Sequence, residues 1–521
     1  MTWVDGLDDG AHTIGRWLID RAAASPRHVA IDDRGVSMDY ATLAGRATGL
    51  ADRLRAAGYG PGDRFATLSG NSSDHVVVFF ACALAGVAFV PLSWRLTPRE
   101  LADVIGRTDP ALLLVEEEYR SLADASLRAM SEPPLMVALG TTGVEASVPD
   151  AAERAILRPV RDDDPLLIIF TSGSEAAPKG VVLTHANCFW TNLALAQALP
   201  LTQDDVVLAM LPQFHVAAWN CQPLLAWWVG ATVVLERSFQ PERALRLIAD
   251  RGVTSMMGVP TQYTLLGRDA SWESADVSSL RTALVGGSTM SEAVRQEWAD
   301  RGVALTQGYG LTEAAPNVLH LPAGEAADHP GAVGRPYAHV STVLADPETG
   351  LVLDGEATGE LWVRGPSVFA EYLGDPDATA AAFADGWLRT GDLVHRDATG
   401  TYRIVDRLKD IFISGGENVA PAEVEHALRL HPLIDQAAVV GVPDPVWGER
   451  GVAFVVPASS AVLSSDEVIA HARRNLAAFK VPVRVEFVTD LPRSSIEKIA
   501  RSRLRDAARR LMEGAPHEPS R

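Results

Sequence analysis

The chain has 521 residues, 47% hydrophobic and 21% charged, with a formal net charge of -20. That length implies about three or four structural units of ~100 to 200 residues, and the composition excludes extensive disorder. The acidic balance argues against a nucleic-acid or anionic-membrane partner, either of which needs basic patches.

The opening MTWVDGLDDG lacks the basic stretch and apolar run of an export signal, so a cytoplasmic protein is expected. Three scattered cysteines, Cys82, Cys188 and Cys221, suit a reducing compartment and form neither a disulfide framework nor a zinc site. Residues 76–92 form the longest apolar run, broken by Ala85-Gly86 and Pro91. It reads as the end of a buried helix followed by a buried strand, with no membrane span.

From about residue 11 to 260, apolar runs of strand length (64–68, 87–91, 166–170, 206–210, 232–235) alternate with helical patterns such as 43–56 and 241–250. Such alternation predicts parallel sheets covered on both faces, and it continues through 282–285 and 303–307. Residues 331–406 are rich in Gly, Pro and Asp, with short strands at 359–364 and 402–405, and read as a β-rich subdomain. An α+β pattern follows: helix 421–430, strands near 437–442 and 452–456, helix 465–476, strand 483–488 and a last helix from about Ile496. The expected fold class is α/β. A large N-terminal domain, 1–408, holds two parallel-type sheets flanked by helices plus the β-rich subdomain, and a small α+β domain spans 409–521.

Only four lysines occur, Lys179, Lys409, Lys480 and Lys498, in a chain that otherwise uses arginine. Lysine is a compact, flexible point charge where guanidinium is a planar fork, which marks these positions as candidates for handling phosphate. Lys480 is the one best explained by chance placement. Residues 166–184, LLIIFTSGSEAAPKGVVLT, set an apolar strand directly before a loop of small residues. The hydroxyls of Thr171, Ser172 and Ser174 and the backbone around Gly173 can face phosphate oxygens, with Lys179 supplying charge. The match to a Walker A loop is loose, because Pro178 and Gly180 flank the lysine and the usual hydroxyl ligand for Mg²⁺ is missing.

Three further segments join it: QGYGLTEAAP (307–316) with Tyr309, Thr312 and Glu313, WLRTGDLV with Asp392, and YRIVDRLKDIFISGGENVAPAEVE with Arg407, Lys409 and Gly415-Gly416. Together these motifs resemble the adenylate-forming superfamily of acyl-CoA synthetases, peptide-synthetase adenylation domains and luciferases. The likeness runs from about residue 12 to 508 and is nearest in look to bacterial acyl-CoA synthetases. It implies that the loop from Thr171 to Lys179 wraps the β- and γ-phosphates of ATP, that Gly287 and Tyr309 contact the nucleotide, and that Tyr309 stacks on adenine. By the same resemblance Thr312 binds near the α-phosphate, Glu313 holds Mg²⁺, and Asp392 meets the ribose hydroxyls beside Arg407. An acceptor-only carboxylate suits a vicinal diol.

Lys498, in LPRSSIEKIAR, matches the family's lysine that bridges carboxylate and α-phosphate during adenylation. Lys409 matches the hinge on which a mobile C-terminal domain turns, and Gly415-Gly416 would line the thiol tunnel. The resemblance places the acid pocket at His215, Trp219, Asn220, Val259, Gly286 and Gly308, with His215 as the gate beside the reacting carboxylate. Trp219 is expected to shorten the cavity and Asn220 to meet a polar substituent, which favours a medium, cyclic or aromatic acid over a long-chain one. The sequence departs from the family pattern at Glu175-Ala176, Asp406, Ala420 and Glu497.

The expected activity is an ATP- and Mg²⁺-dependent, AMP-forming acid–CoA ligase, with CoA as co-substrate and a small carboxylic acid as partner; monomer and homodimer both stay open. The departures keep a second reading in play: an adenylating enzyme that passes the acyl group to an amine, or one that activates nitrite. A catalytically inert nucleotide-binding scaffold is the remaining alternative class.

Overall fold

The computed structural model describes residues 10–153, 155, 157–171, 178–287, 290–414, 417–444, 447–458, 463–493 and 499–513. The chain divides into two compact units, Met1–Thr342 with Val363–Leu388, and Val343–Trp362 with Arg389–Arg521.

The first unit carries two sheets. In one, the strands Leu305–Tyr309, Thr282–Val285, Ser255–Gly258, Val206–Ala209, Thr232–Leu235 and Val29–Asp33 are neighbours in that order and parallel. Helices make the crossovers that parallel pairing requires. Pro241–Arg251 is typical: Pro241 starts it, Gly252 ends it at φ 59°, and Ala244, Leu245 and Ile248 face the core from one stripe.

The other sheet runs Lys179–Thr184, Pro165–Thr171, Ala88–Pro91, Arg64–Leu68, Leu112–Val115, Leu135–Ala138. Its strands are parallel except at Lys179–Thr184, which returns antiparallel with Lys179 opposite Thr171. The parallel pattern is interrupted here for a simple reason. Seven residues separate Thr171 from Lys179, too few for a crossover of a dozen or more.

The apolar run 76–92 resolves as expected into the helix Ser73–Ala85 and the strand Ala88–Pro91. Ser72 caps the helix by accepting from His75 N–H, and Gly86 ends it at φ 83°, where a Cβ would also meet Pro61 Cγ at 2.8 Å. The helix is apolar on all sides because it is buried on all sides. Its Phe79 and Phe80 join one core with Phe65 and Phe89 of one sheet and Val207 and Val233 of the other.

In a third sheet Val352–Leu353, Ser341–Ala345, Ala357–Arg364 and Trp387–Arg396 are neighbours in that order, and Tyr402–Arg407 pairs antiparallel with the last. A fourth sheet, within the second unit, centres on a long antiparallel pair, Ile434–Asp444 with Gly448–Pro457. Its pleat sorts side chains strictly: Ala437 and Val439 face one core, Ala438, Val440 and Val442 the other. The last helix is Arg501–Glu513, starting later than the expected Ile496, since Ile499 still bridges back to Arg493 in extended form.

Candidate functional site

The parallel sheet of the first unit brings several of the candidate positions to one edge. Val206–Ala209, Ser255–Gly258, Thr282–Val285 and Leu305–Tyr309 are consecutive neighbours, so all four end on the same edge. The carboxyl edge of an open parallel sheet is where backbone ends diverge and leave a crevice. From those ends emerge, in turn, the segment leading to His215, then Val259, then Gly286-Gly287, then Gly308 to Glu313. A Cβ at Gly286 would lie 3.0 Å from Met257 Cε and 3.7 Å from the Gly308 carbonyl, and one at Gly287, whose φ is 85°, 3.4 Å from Val259 Cγ1. Three of the expected pocket positions, Val259, Gly286 and Gly308, are thus brought together with Gly287, the glycines leaving room where a side chain would crowd its neighbours. Gly310 is needed for another reason, because a Cβ there would overlap the Pro316 carbonyl.

His215 is half-buried, edge-on to Phe214 at 4.4 Å between centroids. Trp219 and Asn220 depart from expectation. Trp219 is fully buried, stacked on Phe79 at 4.4 Å and edge-on to Phe89 at 5.5 Å. It is a core residue, not a cavity wall. Asn220 is also fully buried, its amide oxygen accepting from Asn192 at 2.9 Å and its NH₂ facing Cys188 Sγ at 3.5 Å. The near-helical spacing of these residues is real, but that face of the turn points into the protein.

Of the expected phosphate-loop residues, Thr171 and Lys179 are register partners on antiparallel strands; Ser172, Gly173 and Ser174 lie outside the described residues. Tyr309 ends its strand opposite Leu319, and Thr312–Ala314 form a single 3₁₀ turn. The Glu313 carbonyl accepts from Phe369 N–H at 2.8 Å, and its Oε1 accepts from the Tyr372 hydroxyl at 2.9 Å. The Lys179 ammonium sits 4.8 Å from the centroid of that same Tyr372 ring. Burial, then the Glu313 charge, push the Tyr372 phenol well above its ordinary range, so it stays protonated. Sequence reasoning missed Tyr372, because nothing in its own segment announces contact with two distant motifs.

In the second unit Asp392 and Arg407 are direct partners across two strands, and the guanidinium Nε lies 3.1 Å from a carboxylate only 4% exposed. The departures at Asp406 and Ala420 belong together. Ala420 stands at the N-cap of helix Pro421–Arg429 with no side-chain bond to give, and Asp406 Oδ2 accepts from Ala422 N–H at 2.8 Å instead. Burial raises the Asp406 pKa. Lys409 is exposed in the turn that follows. Lys480 pairs with Glu423 at 2.6 Å, a structural use of that lysine. Gly415, Gly416 and Lys498 lie outside the described residues; shortly after Lys498, half-buried Arg501 pairs with Glu425 at 2.6 Å and anchors the last helix.

The fold and the motifs define an adenylate-forming enzyme. The chain belongs to the AMP-binding enzyme family, whose model matches residues 18–373, while that of the AMP-binding enzyme C-terminal domain matches 423–498. It is 40% identical over 493 residues to a feruloyl-CoA synthase of Amycolatopsis sp, spanning 94% of this chain and 98% of that one. An indoleacetate–CoA ligase of Aromatoleum aromaticum is 35% identical over 506 residues, with 95% and 98% covered. Among solved structures, ATP-bound MatB from Rhodopseudomonas palustris superposes with a TM-score of 0.87 at 30% identity over 96% of this chain and 99% of that one. Among the described residues no helix is long and apolar enough to cross a membrane.

Proposed function

We propose that this chain is an ATP-dependent, AMP-forming acid–CoA ligase acting on an aromatic or similarly compact carboxylic acid, with CoA and ATP drawn from the cytoplasm. The observation that carries the reading is the shared carboxyl edge on which Val259, Gly286, Gly287, Gly308 and Glu313 emerge from adjacent parallel strands. Relatives named for feruloyl and indoleacetate substrates support the aromatic class. The acid carboxylate, gated by His215, attacks the α-phosphorus of ATP and pyrophosphate leaves; the CoA thiolate then attacks the acyl carbon and AMP leaves. No protein nucleophile is required, because the acyl-adenylate is already an activated anhydride.

Lys179 and Thr171 to Ser174 hold the β- and γ-phosphates, Tyr309 the adenine, Asp392 with Arg407 the ribose, and Thr312 the α-phosphate. Lys498 neutralises the two anions as they are driven together, Lys409 is the pivot between half-reactions, and Gly415-Gly416 admit the thiol. Among the described residues no three His, Cys, Asp or Glu side chains cluster as a metal site. Mg²⁺ is usually held by one or two carboxylates and substrate phosphates instead of an all-protein cage; Glu313 is the residue that would hold it. When bound, the ion offsets phosphate charge as pyrophosphate departs.

The test is purified protein with ATP, Mg²⁺ and hydroxycinnamic, arylacetic, medium-chain and long-chain acids, each offered CoA, amines or nitrite, following AMP and product mass. An aromatic acyl-CoA formed with AMP is expected. Turnover only with an amine or nitrite, or only with long-chain acids, overturns the reading.

A further inference from the structure

We propose that Tyr372 is a positioning residue for nucleotide activation, holding the Glu313 carboxylate in place through its hydroxyl and Lys179 in readiness on its ring. The proposal rests on the adenylating reading above and deepens it. Tyr372 lies in the two-residue strand Glu371–Tyr372, antiparallel to Lys179–Thr184 with Tyr372 opposite Val181. Ala370 N–H donates to the Val182 carbonyl at 3.0 Å and Leu373 N–H to the Gly180 carbonyl at 2.7 Å. From the other side Thr379 Oγ1 accepts from Tyr372 N–H at 2.9 Å. The backbone of this residue is therefore fixed to the strand that begins with Lys179, while its side chain and that of Glu313 meet at 2.9 Å.

The two ends of the ring do different work. A carboxylate with one oxygen already held by a phenol O–H cannot rotate freely and keeps the lone pairs of its other oxygen for a cation. The segment grips Glu313 twice, since Phe369 N–H also donates to its carbonyl. The ring face attracts the Lys179 ammonium through its quadrupole at 4.8 Å. A lysine resting on an aromatic face gives up less on moving to a phosphate than one paired with a carboxylate. Tyr372 is thus a single side chain touching both groups expected to meet the triphosphate.

Two variants separate these actions, and ATP binding by calorimetry without acid or CoA reads them independently of whether the final product is a thioester. Tyr372→Phe keeps the ring and deletes the hydroxyl. It should bind ATP in EDTA as the wild type does, yet need about tenfold more Mg²⁺ to reach half-maximal enhancement of ATP binding. Tyr372→Leu deletes both and should in addition weaken metal-free ATP binding about two- to fivefold. The KM for the acid should hold in both. An unchanged Mg²⁺ midpoint in Tyr372→Phe overturns the proposal. So does an equal loss of metal-free and Mg²⁺-dependent binding in Tyr372→Phe with a lowered melting temperature, which would mark the residue as packing only; if Tyr372→Leu fails to fold, the phenylalanine variant decides alone.

Discussion

The indole Nε1 of Trp219 donates to the carbonyl of Gln213 at 2.7 Å and closes the turn that carries His215. Gln213 is held again by Asn71 Oδ1, which accepts from its N–H at 2.9 Å, and by His75 Nδ1, 2.9 Å from its side-chain oxygen. His215, two residues on, therefore inherits its place from buried residues in and just before the helix Ser73–Ala85.

Trp219→Ala should destabilise the protein by about 3 to 5 kcal/mol, as large-to-small changes in packed cores do, and loosen the His215 turn. Urea unfolding measures the first, and a raised KM for the acid with little change for ATP measures the second. A broader acid range at unchanged stability would instead return Trp219 to the pocket wall.

Burial holds the imidazoles of His75 and His185 at a pKa of about 4. A histidine whose folded value is depressed favours the neutral ring, so its contribution is complete above the ordinary value near 6.5 and is lost as pH falls toward about 4. Each ring adds up to roughly 1.4 kcal/mol per pH unit in that window. Stability measured between pH 7 and 4.5 should fall steeply, and His185→Gln should remove about half of the steepening.

Asp406→Ala should cost about 1 kcal/mol, the usual worth of a helix N-cap, seen as a lowered melting temperature of the second unit. Asp406→Asn keeps an acceptor for Ala422 N–H. Because burial raises the Asp406 pKa, the fold favours the protonated acid; that favourable contribution is full below about 3.8 and lost as pH rises through the folded value. The asparagine variant should therefore gain on wild type as pH rises from 4 to 7.

Gly286→Val should exclude bulky acids first. Even a single methyl at this position reaches Met257 Cε at 3.0 Å, so kcat/KM for aromatic acids is expected to drop about tenfold or more while KM for ATP holds. A graded acid series shows the order of loss; equal loss for the smallest and largest acids would remove Gly286 from the pocket.

Lys498→Ala should slow adenylation by about 10² to 10³ and spare thioester formation from a supplied acyl-adenylate. Measuring both half-reactions separately tests this, and equal loss in both would withdraw its role.

Elements whose signal is local were legible in the sequence. Strands such as Thr282–Val285 and Thr232–Leu235 follow from short apolar runs between helical patterns, and the family resemblance rests on contiguous motifs, those carrying Lys179, Glu313 and Asp392 among them. Contacts between distant segments were not. Trp219 and Asn220 sit at pocket-like spacing, yet which face of their turn meets solvent depends on the helix Ser73–Ala85 packing against it. Ala420 reads as a lost side chain until the fold brings Asp406 to the open helix end, and Tyr372 is unremarkable until an edge strand lays it against Lys179 and Glu313. Periodicity and motif chemistry act over a few residues along the chain, whereas burial and hydrogen-bond partnership are set by sheet order and layer packing, which no short window of sequence contains.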